Sequence, residues 1–276
     1  MSYATILVHA EADPAAEPRL RLAAELANDF DARLIGVAAE LFEPPTMASA
    51  TGYLDGETVM AEAKIVEEDL QIAESKFRDV ARGVRCGADW RAAVALPDEM
   101  IALQARAADL IVAGPRRREP YGLHDHADPG DLLMQSGRPI LIVPLDLARL
   151  DASSVVVGWK DTRESRRAVA DALPFLKRAK QVLVAEVCES REDTEARIRL
   201  ADVAEYLARH GVKVSTAVRA PDKATVAEAL LEIADMQDAG LIVTGGYGHT
   251  RFREWVFGGV TQELLAGSHR AVLMSH

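Results

Sequence analysis

Five glycines, Gly245, Gly246, Gly248, Gly258 and Gly259, sit between the apolar run Leu241–Thr244 and a helix-like tail that opens with Val260 and Thr261. Glycine leaves the backbone bare, so its N–H groups can approach an oxyanion without a Cβ in the way. A pair of glycines at the start of a helix adds unpaired first-turn N–H groups and the positive end of the helix dipole. The chemistry such a stretch offers is the binding of a phosphate, with the Thr261 hydroxyl as a further contact. The alternative is that the glycines serve tight turns and close packing. Two better-known nucleotide patterns are excluded: GxGxxG would need glycine at Arg251, and no GxxxxGK[ST] occurs. His249, Arg251, Arg253 and Glu254 could serve a reaction, but they are also what an exposed lid carries. No GxSxG or HExxH is present. Phosphoryl transfer needs a carboxylate-held metal and a positioned base as well as a cradle, so binding is favoured over turnover.

A second loop, PRRREPYGLHDHADPGD from Pro115 to Asp131, also carries chemistry-bearing residues. His124, Asp125, His126 and Asp128 are metal-ligating types, but alternating His and Asp among Pro and Gly is the pattern of a solvated loop, and no metal is expected. Arg116, Arg117 and Arg118 read as an exposed charge run. Cys86 and Cys188 lie far apart and outside any CxxC spacing, so neither a disulfide framework nor a zinc site is indicated.

The elements that must position the glycine stretch emerge when the chain is compared with itself. ADLIVAG from Ala108 recurs as AGLIVTG from Ala239, RPILIV from Arg138 answers RAVLMS from Arg270, and TILVHAEAD from Thr5 parallels SVVVGWKDT from Ser154. The starts are 149 residues apart and the LIV runs 131, so the first copy holds about 18 extra residues, expected in EPPTMASATGYLDG from Glu43 to Gly56. Two domains result, 1–148 and 152–276. Each alternates five short apolar strands with amphipathic stretches. Strands are expected near 5–10, 33–39, 84–92, 110–113 and 140–143, then near 155–158, 182–187, 213–218, 241–244 and 271–274. Leu22, Leu26 and Phe30 mark one helix face. A long charged helix covers 59–80, another covers 191–210 and is capped by Gly211, and Pro174 interrupts a third. Alternation of this kind implies right-handed crossovers and a parallel sheet covered on both sides, so each half is a five-stranded doubly wound α/β domain. Gly114 aligns with Gly245, which places Pro115 and Arg117 at the positions of Gly246 and Gly248, and His126 at that of Gly258. The first half therefore lacks the glycine device.

Composition narrows the classes of partner. The chain has 276 residues, 49% of them apolar and 27% charged, within the range of a globular protein with a large core. Its formal net charge of −11 argues against a nucleic acid partner. No apolar run approaches a membrane span and no basic leader precedes the first strand, so a cytoplasmic location without a membrane partner is expected.

The spacing Gly245-x2-Gly248-x9-Gly258, followed by Gly-Val-Thr after a fourth LIV-type strand, resembles the nucleotide-binding signature of the universal stress protein (UspA-like) family. The resemblance extends to VVVGWKDTRESRRAVADALPFL and to the closing strand, and it covers both halves, as in a tandem member. It implies a sheet of order 3-2-1-4-5 in each domain and association through the last strands, which a tandem chain makes internally as a pseudo-dimer about a pseudo-two-fold. A further homodimer is left open. It also implies an adenine nucleotide, ATP with or without Mg2+, bound by Gly245, Gly248, Gly258, Gly259, Val260 and Thr261, with Val187 presenting its backbone to the adenine edge. Nucleotide-binding relatives usually carry Ser or Thr at the position of Gly259 and Asp at that of Lys160. Here Lys160 would attract phosphate, or stand as a solvated loop charge, while Trp159 is read as a packing residue. The functional expectation is a stress-response binding module. The alternatives are a nucleotide-free interaction protein and a slow ATP hydrolase.

Overall fold

The structure, a computed structural model, describes residues 2–42, 56–116, 126–188, 194–220, 224–247 and 259–276, with the side chain of Thr58 outside that set. In the N-terminal half, strand β1 (Thr5–His9), helix α1 (Glu17–Phe30), β2 (Arg33–Glu40), α2 (Gly56–Ala81), β3 (Ala88–Val94), α3 (Pro97–Gln104), β4 (Leu110–Ala113), α4 (Pro129–Gln135) and β5 (Ile140–Ile142) follow in order. In the C-terminal half come β6 (Ser154–Trp159), α5 (Arg163–Asp171), α6 (Leu173–Leu176), β7 (Gln181–Val187), α7 (Thr194–Arg209), β8 (Val214–Arg219), α8 (Val226–Met236), β9 (Leu241–Gly245), α9 (Gly259–Gly267) and β10 (Ala271–Ser275).

Among the described residues ten strands form one sheet of order β3-β2-β1-β4-β5-β10-β9-β6-β7-β8. Within each half the strands are parallel and the local order is 3-2-1-4-5. The halves join where β10 runs antiparallel to β5, with Val272 opposite Ile142 and Met274 opposite Ile140. The two sets of strands therefore point in opposite directions, and their carboxyl ends lie at opposite edges of the sheet. Central strands such as β6 and β10 are buried along their whole length, whereas the outermost strands β3 and β8 are mostly half-exposed. That contrast follows from helices covering both faces of a parallel sheet up to its edges. One core contains Leu22, Phe77, Val169, Phe175 and Leu207, from α1, α2, α5, α6 and α7. The other contains Ile101, Leu132, Ile233 and Leu264, from α3, α4, α8 and α9.

Local chemistry sets the helix limits. Leu22, Leu26 and Phe30 of α1 are buried at four-residue spacing, as their periodicity predicts. Gly211, just past α7, takes a φ of 82°, the left-handed turn that ends a helix without a Cβ penalty. Pro174 opens α6 after α5 has stopped at Asp171, since a proline fits the first turn of a helix and breaks its interior. Two expectations shift. The third strand begins at Ala88 rather than near Val84, because 84–87 form a turn in which Gly87 adopts a φ of 85°. The additional residues of the first half lie partly in α2, which has 26 residues against 16 in α7; residues 43–55, where the whole surplus was expected, fall outside the described set.

Candidate functional site

At the carboxyl ends of β6, β7 and β9 the C-terminal half opens into a cavity of about 400 Å3. It lies beside the place where strand order reverses, between β6 and β9, which is where open α/β sheets bind ligands. Helices start at its rim for a topological reason: each strand ends there and its crossover helix begins there. Thr162 and Ser165 of the α5 start, Val226 of the α8 start, and Gly259, Val260 and Thr261 of the α9 start all line it. Three helix N-termini thus direct positive partial charge at one space, and the Lys160 ammonium-bearing residue stands exposed beside them. The opposite wall is apolar, built from Ala185, Val187 and Leu230.

The structure therefore gathers around one cavity every candidate residue it describes: Gly245, Gly259, Val260, Thr261, Lys160 and Val187. Gly248 and Gly258 lie outside the described residues. Trp159 contributes to this wall, but its indole belongs to the core on the other face, with Val169 and Val203, and so packs as expected.

The glycines divide by role. A Cβ on Gly245 would lie 2.6 Å from the backbone of Glu164 and Ser165, so its bareness admits the start of α5. A Cβ on Gly246 would strike Leu133, which crosses from α4 of the N-terminal half, and the Gly246 N–H already donates to the Ser275 carbonyl at 2.9 Å. These two glycines are demanded by packing. Gly259 differs: the nearest atom to its missing Cβ is a Glu263 carboxylate oxygen 3.7 Å away, so the first residue of α9 is open. Thr261 is buried, and its hydroxyl accepts the Tyr247 N–H at 3.2 Å while keeping its own proton to donate. The anion-binding capacity of the described residues is consequently concentrated in the first turn of α9 and around Lys160.

Two neighbours fix these walls. The N-cap Thr162 receives the Ser165 N–H at 3.3 Å, and Thr225 caps α8 in a reciprocal box with Glu228 while donating its hydroxyl to Glu263 of α9 at 2.6 Å. The T-x-x-E spacing at Thr225 was legible in the sequence as a helix start, and it is the signal that could have brought Val226 and Leu230 into the site. Burial pushes the Glu164 carboxyl up, but hydrogen bonds from Arg163, its own backbone and Thr162 outweigh that and hold it below the usual range.

The corresponding place in the N-terminal half is filled by side chains. Arg19 of α1 is buried, donates from Nε to the His9 carbonyl at 2.9 Å and from Nη2 to Glu11 Oε2 at 2.5 Å, and occupies the space in which a Cβ of Gly114 would lie. His126 Nδ1 lies 2.8 Å from the other Glu11 oxygen. Burial by itself would push the Glu11 carboxyl up. The charges of His9 and Arg19, with hydrogen bonds from His126 and Arg19, hold it well below its ordinary value. The loop expected to be solvated is instead recruited to structure: His126 meets Glu11, and Asp128 accepts from Arg116 Nε at 2.6 Å and Nη2 at 2.8 Å. Arg116 is likewise half-buried rather than part of an exposed run, because that bidentate partner and the neighbouring half enclose it. Arg117, Arg118, His124 and Asp125 lie outside the described residues. Among the described residues no helix is long and apolar enough to cross a membrane.

A family model described as the Universal stress protein family matches residues 152–276. Among solved structures, a universal stress protein from Archaeoglobus fulgidus DSM 4304 aligns over 98% of this chain and 95% of its own, with a TM-score of 0.68 at 17% identity. A functionally unknown protein from Pseudomonas aeruginosa PAO1 aligns over 99% and 92%, with a TM-score of 0.57 at 19% identity. At these identities the likeness establishes the fold. No curated protein matches the chain.

Proposed function

Starting from residues 152–276 as a domain of the Universal stress protein family, we propose that the C-terminal half binds an adenine nucleotide, with ATP the expected ligand, in the cavity between β6 and β9. The observation that carries this reading is the convergence of an open α9 N-terminus at Gly259, the Lys160 residue and an apolar wall of Ala185, Val187 and Leu230 on one space of about 400 Å3. That volume lies within the roughly 300–1,000 Å3 of small-molecule sites, and the division into an apolar and an electropositive end suits a base joined to phosphates. In this reading the phosphates meet the first-turn N–H groups of α9, the Thr261 hydroxyl proton and the Lys160 ammonium. The base lies against Val187 and Leu230. Mg2+ would enter with the phosphates, as that ion commonly does. In this reading the role is binding; the Glu186 carboxylate that borders the cavity is held by Arg199 at 2.5 Å on the opposite face of the sheet. The N-terminal half is assigned the part of a partner domain, since Arg19, Glu11 and His126 fill its equivalent place.

Isothermal titration of the intact chain with ATP, ADP and AMP, with and without Mg2+, tests this. One saturable site per chain is expected. Two sites would contradict the division of roles, and no saturable heat at millimolar ligand would sink the nucleotide reading. A second reading, a nucleotide-free interaction module, draws on one observation, that Gly245 and Gly246 are explained by the packing of α5 and Leu133. ATP recovered from the purified protein would reject it.

A further inference from the structure

The repeat that aligns Gly114 with Gly245 also aligns Arg116 with Tyr247. In a symmetric pair of domains these positions would carry the same residue. Here they carry different residues that come together. The Arg116 backbone N–H donates to the Leu265 carbonyl of α9 at 2.9 Å, so the end of β4 is tied directly to the helix whose first turn lines the cavity. The Arg116 guanidinium grips Asp128 with two hydrogen bonds, and Asp128 in turn caps α4 by accepting from Gly130 N–H at 2.7 Å. Above Gly130 three groups converge: the Tyr247 phenol oxygen, Arg116 Nη2 and Asp128 Oδ1, the last two 2.8 and 2.9 Å from where a Cβ would stand. Tyr247 thus reaches from the end of β9 across to the N-terminal half.

Tyr247 also requires holding. Its φ of 57° is in the left-handed region, which costs a residue with a Cβ about 1–2 kcal/mol and persists where surrounding contacts enforce it. Its backbone N–H donates to the Thr261 hydroxyl, and its phenol end lies beside the Arg116–Asp128 pair above Gly130. The backbone between these contacts is the exit of β9 towards α9, where Gly245 and Tyr247 line the cavity.

We propose that Arg116 and Asp128 are positioning residues for the opposite half: they hold Tyr247, and through it residues 245–247 and the start of α9, in the conformation that shapes the cavity. That the cavity receives a nucleotide rests on the reading given above; the hold itself does not. The half without a glycine device thereby acts on the half that has one.

Amide hydrogen exchange on the ligand-free full chain tests the hold, with nucleotide titration as a second arm. In Arg116→Ala the Tyr247 N–H should exchange about tenfold faster, as for a local opening, while the N–H of Val156 in the buried β6 keeps its wild-type rate. Arg116→Lys, which keeps the charge and loses the fork, should fall between. Asp128→Asn, which retains a capping oxygen for α4, should behave like Arg116→Lys. Nucleotide affinity should decline in the same order. Unchanged Tyr247 exchange in Arg116→Ala overturns the proposal, as does equal acceleration at Val156, which would mean general destabilisation. Accelerated exchange with unaltered nucleotide affinity overturns the positioning role. If wild-type chain binds no nucleotide, the function assigned above fails, and the exchange pattern alone decides the hold.

Discussion

At the scale of single residues, identical letters in the sequence turn out to answer different demands. Gly245 is bare so that α5 can begin against it, and Gly259 is bare where the cavity opens. Gly245→Ala should therefore cost about 1–3 kcal/mol, because the obstructing atoms are backbone and cannot swing aside; urea denaturation measures it, and an unchanged midpoint would refute the packing role. Gly259→Ser should leave stability nearly unaltered and add a hydroxyl at the start of α9. A gain in nucleotide affinity of about two- to tenfold, the worth of one net hydrogen bond, is expected by titration. Glu11 gives a pH prediction. Its folded-state carboxyl is held well below its ordinary value, so the stability it contributes is fully present above the unfolded carboxyl range, near pH 4.3, and is lost as pH falls through the lower folded value. Glu11→Gln, which leaves Arg19 buried without its counter-charge, should cost about 3 kcal/mol at pH 7. The gap to wild type should narrow in denaturation curves taken at progressively lower pH below 4.

At the scale of elements, the site is a meeting of helix starts, and its precision depends on caps. Thr225 joins two of them, closing the capping box of α8 and bonding Glu263 of α9. Thr225→Ala should cost about 1 kcal/mol, the usual loss of an N-cap, and should weaken nucleotide binding beyond what the small stability loss explains, because α9 loses a tie near its first turn. Comparing thermal midpoints with titration separates the two effects. The helix start beside Gly259, the Gly211 stop and the Pro174 break were all readable from residue type and spacing. The structural use of His126 and Asp128 was not readable, since a loop's composition shows its polarity and hides which buried partner awaits it. Burial of Glu11, 115 residues away, gives His126 its role.

At the scale of the whole molecule, the two halves share a sheet and both cores. Besides the β5–β10 seam, Tyr3 and Phe30 of the N-terminal half pack their rings against Phe175 of the C-terminal half, at centroid distances of 5.6 and 5.1 Å, and the Tyr3 hydroxyl donates to the Asp171 carbonyl at 2.7 Å. Calorimetry should accordingly show one unfolding transition for the full chain. Phe175→Ala should lower its midpoint, at a cost of about 3–5 kcal/mol, without splitting it. Two separated transitions would mean that the halves unfold independently.

The sequence by itself determined the repeat, the alternation of strands and helices that makes each half a doubly wound α/β unit, and the half that retained its glycines, because hydrophobic periodicity, turn chemistry and glycine spacing are local and survive being read along a line; the strand order came from the family resemblance. The sequence did not distinguish a glycine needed for packing from one facing open space, or a solvated arginine from one that reaches the neighbouring half. Those distinctions are set by atoms distant in the chain: Glu164 and Leu133 against Gly245 and Gly246, and Tyr247 against Arg116 and Asp128. Only the antiparallel closure of β10 on β5 brings the last set together.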